Sequence, residues 1–401
     1  MIPGKYLFRE IDERAGHSDL PLLSVSRYLG VVPRINLTDD LSRAEDLSNY
    51  KVCAHGDIVV NRMSAYQGAM GMSSHAGLVS PDYMVLRPGP LVYGKFLHYL
   101  FRSAWFTGEV VQRLRGIGSV GLGNVRTPRI NPDEFGAIPI PLPPLQEQQR
   151  IANFLDVETG KIDDLLSKKR RLINLMNERI DSDVLQHVGA SNLVRATTGV
   201  PALPIRRLLT KVVRPAIAGF GVVTAYRDGQ VTQRESRRAE GYTLTVSAEP
   251  QGQHVLAGDV VVHGLDGFAG AIGASDANGN CSPVYHVCVP KNDGDARFLG
   301  RLLRLLALQG YLGNFAISTR ERAVDFRNWD LFGRIPIPVA PTAQQREIGN
   351  RISQMSPLRE AVERSEVLAA ERRQALITAA VTGQFDVSTA SGRNVTDGVT
   401  A

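Results

Sequence analysis

The 401-residue sequence predicts an α+β fold: two β-rich domains in tandem, each followed by a long helix, the two helices forming an antiparallel coiled-coil spacer with a pseudo-twofold axis. Three observations predict it. The chain repeats itself at a period near 200 residues, far too long for a solenoid. Each repeat opens on a Gly-, Pro-, Val- and Ile-rich stretch with short β-branched runs between turn-formers. Each then changes texture once, into a glycine-poor segment where apolar residues recur every three or four positions.

The repeat rests on two ordered series of matches. FGAIPIPLPPLQEQQRI (135–151) and FGRIPIPVAPTAQQREI (332–348) agree at nine of seventeen positions, at an offset of 197. At an offset of 202, Gly56-Asp57-Ile58-Val59-Val60 pairs with Gly258-Asp259-Val260-Val261-Val262, Gly68–Gly71 with Gly270–Gly273, Ser80-Pro81 with Ser282-Pro283, and Phe96-Leu97 with Phe298-Leu299. The resulting organisation is a first β-rich domain (1–142), a central helix (143–190), a second β-rich domain (191–339), a distal helix (340–385) and a loose polar tail (386–401). Asp57–Val60 and Asp259–Val262 read as strands, Phe96–Phe106 and Arg297–Leu308 as helices. The central stripe is Ile151, Leu155, Ile162, Leu165, Leu172 and Met176; the distal one is Met355, Leu358, Val362, Ala369, Leu376 and Ala379. Pro143-Pro144 and Pro341 suit helix starts. Gly160 and Pro357 are equivalent and predict a shared break or kink. One such helix cannot bury its own stripe. Two can bury theirs against each other; the alternative is that each packs on its own domain.

Composition bounds the function. With 46 Lys+Arg against 40 Asp+Glu the net charge is +6, which permits a nucleic-acid partner. A 43% hydrophobic and 21% charged composition argues against disorder. Cys53, Cys281 and Cys288 are odd in number and lack C-x-x-C spacing, so neither a disulfide framework nor a zinc ribbon is expected, and buried thiols in a reducing, cytoplasmic compartment are. No apolar run reaches the roughly 18 residues of a membrane helix, and the N-terminus lacks a signal-peptide pattern. Positive charge gathers in the β-rich domains: segment 206–240 nets +5 and segment 102–129 nets +4, whereas helix 145–187 nets −1. Arginine dominates there, and its planar fork suits phosphate and guanine edges. Glycines around Arg115 would let the backbone approach a phosphate.

Catalytic patterns fail one by one. Gly89–Phe96 resembles a P-loop but ends in Phe where a magnesium-binding Ser or Thr is needed. Gly121-Leu-Gly123 lacks the third glycine of a dinucleotide fingerprint. Asn131-Pro132-Asp133-Glu134-Phe135 lacks the second proline of an adenine-methyltransferase loop. The eight histidines show no metal-ligand spacing, and neither a nuclease acidic-x-Lys pair nor a Gly-x-Ser-x-Gly elbow occurs.

The run Ile138–Ile151 (IPIPLPPLQEQQRI), its continuation through Leu155-Asp156, Lys161-Ile162-Asp163 and Leu172-Ile173, the distal Glu371–Phe385 segment and the two Gly-Asp strands together resemble the specificity subunit of type I restriction–modification systems, over about residues 5–385. One departure is visible: Pro201–Ile205 precedes Arg206, but only Met1–Gly4 precedes Lys5, so either the sequence starts late or the first domain lacks an edge strand. The resemblance implies that the β-rich domains are target-recognition domains. Each would read one half of a bipartite double-stranded DNA target, while the helices set the spacer. It implies a non-catalytic chain that binds no cofactor. Two methyltransferase subunits using S-adenosylmethionine and two motor-nuclease subunits using ATP and Mg would be its partners, with no membrane involved. Candidate DNA-binding residues are Asn61, Arg62, Tyr66, Gln67, Arg113, Arg115, Arg126 and Arg129 in the first domain, and Arg227, Arg234, Arg237, Arg238, His263, Phe268, Arg320 and Arg322 in the second, with Asp266 beside them. Candidate partner-docking positions are Gln148, Ile151, Leu155, Gln345 and Ile348. The competing readings are a self-contained DNA methyltransferase or nuclease, and a structural protein-binding adaptor.

Overall fold

The computed structural model describes residues 1–27, 30–37, 46–114, 129–189, 202–237, 252–315, 319–320 and 323–387. The chain forms two compact units, Met1–Lys168 with Arg364–Ala401, and Lys169–Glu363.

In the first unit the elements are β1 (Ile2–Pro3), β2 (Phe8–Ile11), β3 (Leu23–Ser26), β4 (Gly30–Pro33), β5 (Lys51–Cys53), β6 (Ile58–Asn61), β7 (Met70–Met72), β8 (Gly77–Val79), β9 (Tyr83–Pro88), α1 (Gly94–Phe101), α2 (Ala104–Val111), α3 (Pro132–Gly136), β10 (Pro139–Ile140) and the start of α4 (Leu145–His187). A four-stranded antiparallel sheet runs β2-β9-β6-β7, with two-stranded ribbons β1-β10, β3-β4 and β5-β8. Ile58, Val59 and Val60 on β6 are fully buried, as the unbroken β-branched run requires of a central strand. Gly56, in the turn two residues before this strand, has φ +89, a conformation that favours glycine. Helix α1 presents Phe96, Leu97, Leu100 and Phe101 to the sheet, one apolar face at i, i+1, i+4 and i+5. Phe101, Phe106 and Phe135 close the core, the last two edge-on at 5.4 Å.

The second unit repeats the plan: β11 (Ala202–Pro204), α5 (Ile205–Leu208), β12 (Leu209–Val212), β13 (Val223–Ala225), β14 (Val231–Gln233), β15 (Gln253–Val255), β16 (Val260–His263), β17 (Ile272–Ala274), β18 (Gly279–Cys281), β19 (Tyr285–Pro290), α6 (Ala296–Leu308), β20 (Thr319–Arg320), β21 (Ala323–Val324), α7 (Trp329–Phe332), β22 (Pro336–Pro338) and the start of α8 (Thr342–Val381). Its sheet runs β12-β19-β16-β17, strand for strand the order of the first. The first unit does not lack the edge strand, the second of the two alternatives: β1 pairs with β10 as β11 pairs with β22. The proline-rich I-P-I-P segments fit these ribbons, where a lost N–H costs least.

The long helices contribute to both units. Leu376, Ile377, Ala380 and Val381 of α8 lie in the core of the first unit with Ile151, Ala152 and Leu155 of α4. Ile180 and Val184 of α4 lie in the core of the second with Ile348 and Met355 of α8. Neither helix therefore packs only on the domain that precedes it. Within the first unit Asp163 meets Arg373 and Phe154 meets Phe385; within the second Asn177 meets Arg359 and Asp183 meets Arg351, so in each the two segments are antiparallel. Both helices run unbroken through Gly160 and Pro357, so neither residue ends its helix as a break there would. The apolar stripe is also corrected. Half-buried or buried positions on α4 are Ile162, Leu166, Lys169, Ile173, Met176 and Ile180, a 4-3-4-3-4 spacing, while Leu165 and Leu172 are exposed. On α8 they include Met355, Arg359, Val362, Glu366, Ala369, Arg373, Leu376, Ile377, Ala379 and Ala380, so of the expected stripe only Leu358 is exposed.

Candidate nucleic-acid interface

In each unit the surface at the end of the Gly-Asp strand is built by the same frame. Asn61 ends β6 and sits opposite Tyr83 of β9; its amide donates to the Tyr83 hydroxyl at 3.3 Å, and its Oδ1 accepts the Met63 N–H at 3.2 Å. His263 ends β16 opposite Tyr285 of β19, ring against ring at 4.5 Å. Its Nδ1 accepts the backbone N–H groups of Leu265 and Asp266 at 3.1 and 2.9 Å, which puts any ring proton on Nε2. Burial, then the Arg227 charge, lowers the His263 pKa against the pull of Asp266; burial pushes the Tyr285 phenol up to about 12. A 3-10 turn follows in both, Ala65–Gln67 and Gly267–Ala269.

On this common frame the side chains differ. At the 202 offset Asn61, Arg62, Met63, Tyr66 and Gln67 are replaced by His263, Gly264, Leu265, Phe268 and Ala269. Arg62 is an internal strut: Nε donates to the Ile130 carbonyl at 3.0 Å and a terminal nitrogen to Asn131 Oδ1 at 3.2 Å, and burial with the Arg129 charge lowers its pKa. Tyr66 packs partly against the core, with the exposed Gln67 amide donating to its hydroxyl at 3.1 Å. Phe268 likewise packs against the second core.

The arginines divide. Arg129 pairs with Asp82 at 2.8 Å, and Arg113 with Glu109 one turn back at 2.7 Å. Arg227, largely exposed, reaches Asp266 at 3.0 Å and so joins the β13–β14 turn to the His263 loop. Arg237 pairs with Asp228 at 3.0 Å and lies over the Tyr226 ring at 4.3 Å. Arg234 heads a 3-10 turn, Arg234–Ser236, and is mostly covered. Arg115, Arg126, Arg238 and Arg322 lie outside the described residues, as does the side chain of Arg320 on β20.

One residue escaped the sequence reading. Arg34 stands in the first unit where Arg234 stands in the second: their N–H groups donate to Leu22 and Val222 at 2.8 and 2.7 Å, and each begins a 3-10 turn. Among the described residues the buried Arg34 Nε has no hydrogen-bond partner, and the Arg34 charge acts on the Tyr83 phenol. A 200-residue offset, intermediate between the two that were traced, would have found it.

The expected partner-docking positions are corrected. Gln148, Ile151, Leu155, Gln345 and Ile348 are all buried inside their own units, at most 5% exposed, and present no surface to a partner. The Gln148 amide accepts the Tyr93 N–H at 2.8 Å and donates to the Leu91 and Pro143 carbonyls at 3.1 and 2.9 Å. Gln345 does the same in the second unit, accepting the Asp295 N–H and donating to the Ala340 carbonyl. The proline-glutamine signature is thus an internal tie between the helix start and the loop before α1 or α6. Exposed large apolar side chains on α4 are instead Leu145, Val157, Leu165, Leu172 and Leu175, and on α8 Leu358, Val367 and Leu368.

Residues 31–175 match the family model of the type I restriction modification DNA specificity domain. That stretch is similar to a type I DNA specificity domain. The match spans most of the first unit, from β4 through α1–α3 into α4, and so contains Asn61, Tyr83 and Arg34. The second unit has the same strand order and is a second copy of the specificity-domain fold. No curated protein matches the chain. Among solved structures, a chain from work on complex assembly and conformational transition of a type I R-M system aligns over 95% of this chain and 96% of its own, at 14% identity and a TM-score of 0.52. That likeness extends the shared fold across both specificity-domain copies and both helices. The HsdS subunit of Thermoanaerobacter tengcongensis aligns over 96% of each chain at 14% identity with a TM-score of 0.39. The type I S subunit of M. genitalium aligns over 94% of each at 14% identity with a TM-score of 0.42. Among the described residues no helix is long and apolar enough to cross a membrane.

Proposed function

We propose that the chain is the non-catalytic reader of a type I restriction–modification complex, each unit recognising one half of a bipartite DNA sequence. One observation carries this reading: the same backbone frame is displayed twice with different side chains at equivalent positions, Asn61 against His263 and Gln67 against Ala269. An invariant frame with exchanged polar groups is what two half-site readers of different sequence need. The antiparallel helix segments supply the spacer between half-sites. Exposed Leu165, Leu172 and Leu175 on α4 are the docking face for two methyltransferase subunits, which bring S-adenosylmethionine. Two motor-nuclease subunits bring ATP and Mg, and this chain holds none of these cofactors.

Methylation mapping in cells carrying the chain with its methyltransferase partner tests the assignment. Modified adenines are expected in a split motif. Asn61→Ala should relax one half and Arg237→Ala the other, each worth about 1–3 kcal/mol of discrimination at the position it reads. Both halves changing together would refute the one-unit-one-half assignment, and methylation by the purified chain alone would refute the non-catalytic role.

A further inference from the structure

A cavity of about 450 Å³ opens in the second unit, between the turn joining β13 to β14, helix α6 and the segments of α4 and α8 that pack there. We propose that this cavity binds a phosphate group, held by Arg301, Arg304 and Arg359 with Ser353 and Ser356. Nothing in the half-site reading requires it, and it stands on separate observations.

The first is what the equivalent place in the other unit contains. There Lys95 and the Tyr99 hydroxyl of α1 converge on Asp156 of α4 at 2.6 and 2.7 Å, with Thr159 beside them at 3.4 Å. The chain supplies its own anion. In the second unit Lys95 becomes Arg297, Tyr99 becomes Arg301, Asp156 becomes Ser353 and Thr159 becomes Ser356. All four replacements line the cavity. The carboxylate is gone and a second guanidinium has arrived, so these four positions go from neutral to +2.

The second observation is the state of the arginines. Arg301 is matched, its Nε bonded to Asp181. Among the described residues Arg304 donates only to the Arg227 carbonyl, at 3.2 and 3.4 Å, and Arg359 only to Asn177 Oδ1 at 3.4 Å. Neither has a carboxylate within ion-pair distance among the described residues, although both are partly buried. Of the carboxylates lining the cavity, Asp228 is taken by Arg237, and Asp276 is pushed toward its neutral form by burial. Burial, with the neighbouring Arg301 charge, lowers the pKa of both arginines against the pull of Asp181 and Asp228 on Arg304 and of Asp228 and Glu363 on Arg359, none of which comes within ion-pair distance of them. Partly buried cations without a partner are costly, and an oxyanion between them relieves that cost. The turn is shaped for it: at Gly229 (φ +88) a Cβ would meet the Arg304 Cδ at 2.5 Å, so only glycine lets Arg304 pass beneath.

The test uses the full chain, with inorganic pyrophosphate as one probe and a 30-base-pair duplex as the other. Pyrophosphate should bind at one site by calorimetry, Arg359→Gln should weaken it about tenfold or more, and Ser353→Asp, which restores the internal carboxylate, should abolish it. If duplex affinity and its salt dependence are unchanged in Ser353→Asp, the phosphate belongs to a small molecule. If pyrophosphate does not bind but Ser353→Asp weakens the duplex complex and lowers its salt slope by about one, the phosphate is that of DNA. Should Ser353→Asp misfold, judged by Trp329 fluorescence, Arg359→Gln is read in its place. Pyrophosphate binding that survives both substitutions, or no effect on either probe, overturns the proposal.

Discussion

Replacing Gln148 by Leu separates an internal tie from a docking contact. The substitution keeps the volume near constant and removes three hydrogen bonds from a side chain that is fully buried. The Tyr93 N–H is left without its acceptor at the start of α1, which costs about 1–3 kcal/mol for one unsatisfied buried donor. The Leu91 and Pro143 carbonyls lose a donor each and add roughly 1 kcal/mol together, since carbonyls tolerate one empty lone pair better. The total is about 2–4 kcal/mol, or a fall in midpoint of about 5–12 °C for a unit of this size. The chain has two tryptophans, one in each unit, so the units are read separately: Trp105 reports the first in a Trp329→Phe background. Gln345→Leu, which removes two bonds, should destabilise the second unit by a smaller amount. A Gln148→Leu chain whose first unit unfolds within about 0.5 kcal/mol of the parent would refute the tie. Loss of partner binding at unchanged stability would return Gln148 to a docking role.

Two further outcomes are expected. His98 is half-buried, its Nδ1 accepting the Met72 N–H, and desolvation followed by the Arg102 and Arg373 charges holds its pKa down at about 3. The unfolded histidine titrates near 6.5, so the unfolded state binds the extra proton, and stability of the first unit should fall by about 1.4 kcal/mol per pH unit from about pH 6.5 down toward 3. His98→Gln should flatten that slope in pH-dependent urea melts, and an unchanged slope would contradict the assignment. Cys53, Cys281 and Cys288 are free and buried, with thiols pushed up to about 11, 12 and 12 by burial. At pH 8 a thiol reagent should label none of them in the native chain and all three in urea; fast native labelling would show that a strand of the sheet opens.

The duplication, the Gly-Asp strands and the two long helices were legible because each is written in local residues that a short window contains. The helix seam was not. Its positions include Lys169, Arg359, Glu366 and Arg373, and a count of apolar residues therefore drifts one place, onto the exposed Leu165, Leu172 and Leu358. Long charged side chains bury their stems and leave their heads near water, so a seam can hold them without an apolar signature. Gln148 and Gln345 misled for the opposite reason. A polar residue in a helical repeat reads as surface, and only the loop before α1 or α6, more than 40 residues away in sequence, shows that it is core. Apart from the local Arg113–Glu109 pair, the arginine clusters were legible as charge but not as partners, because Asp82, Asp228 and Asp266 reach them through the fold.

The two copies show which parts of the frame are constrained and which are free to change. Asp57 and Asp259 are equivalent, buried, and make the same backbone bond, accepting the N–H of Ala54 and of Leu256 at 2.9 and 2.8 Å. Each also takes a bidentate arginine, but from different places: Arg87 of β9 in the first unit, and Arg214 just beyond β12 in the second. A buried carboxylate needs a counter-charge, and the fold accepts it either from the adjacent strand β9 or, in the second unit, from the segment just beyond the edge strand β12. The requirement is therefore for charge at a point, not for a residue at a sequence position, and it leaves the rest of the strand end unconstrained. That freedom lets Asn61 and His263 occupy one site on one frame. A reader that changes its target must vary the displayed groups while the buried carboxylate and its cation hold the start of the strand that displays them.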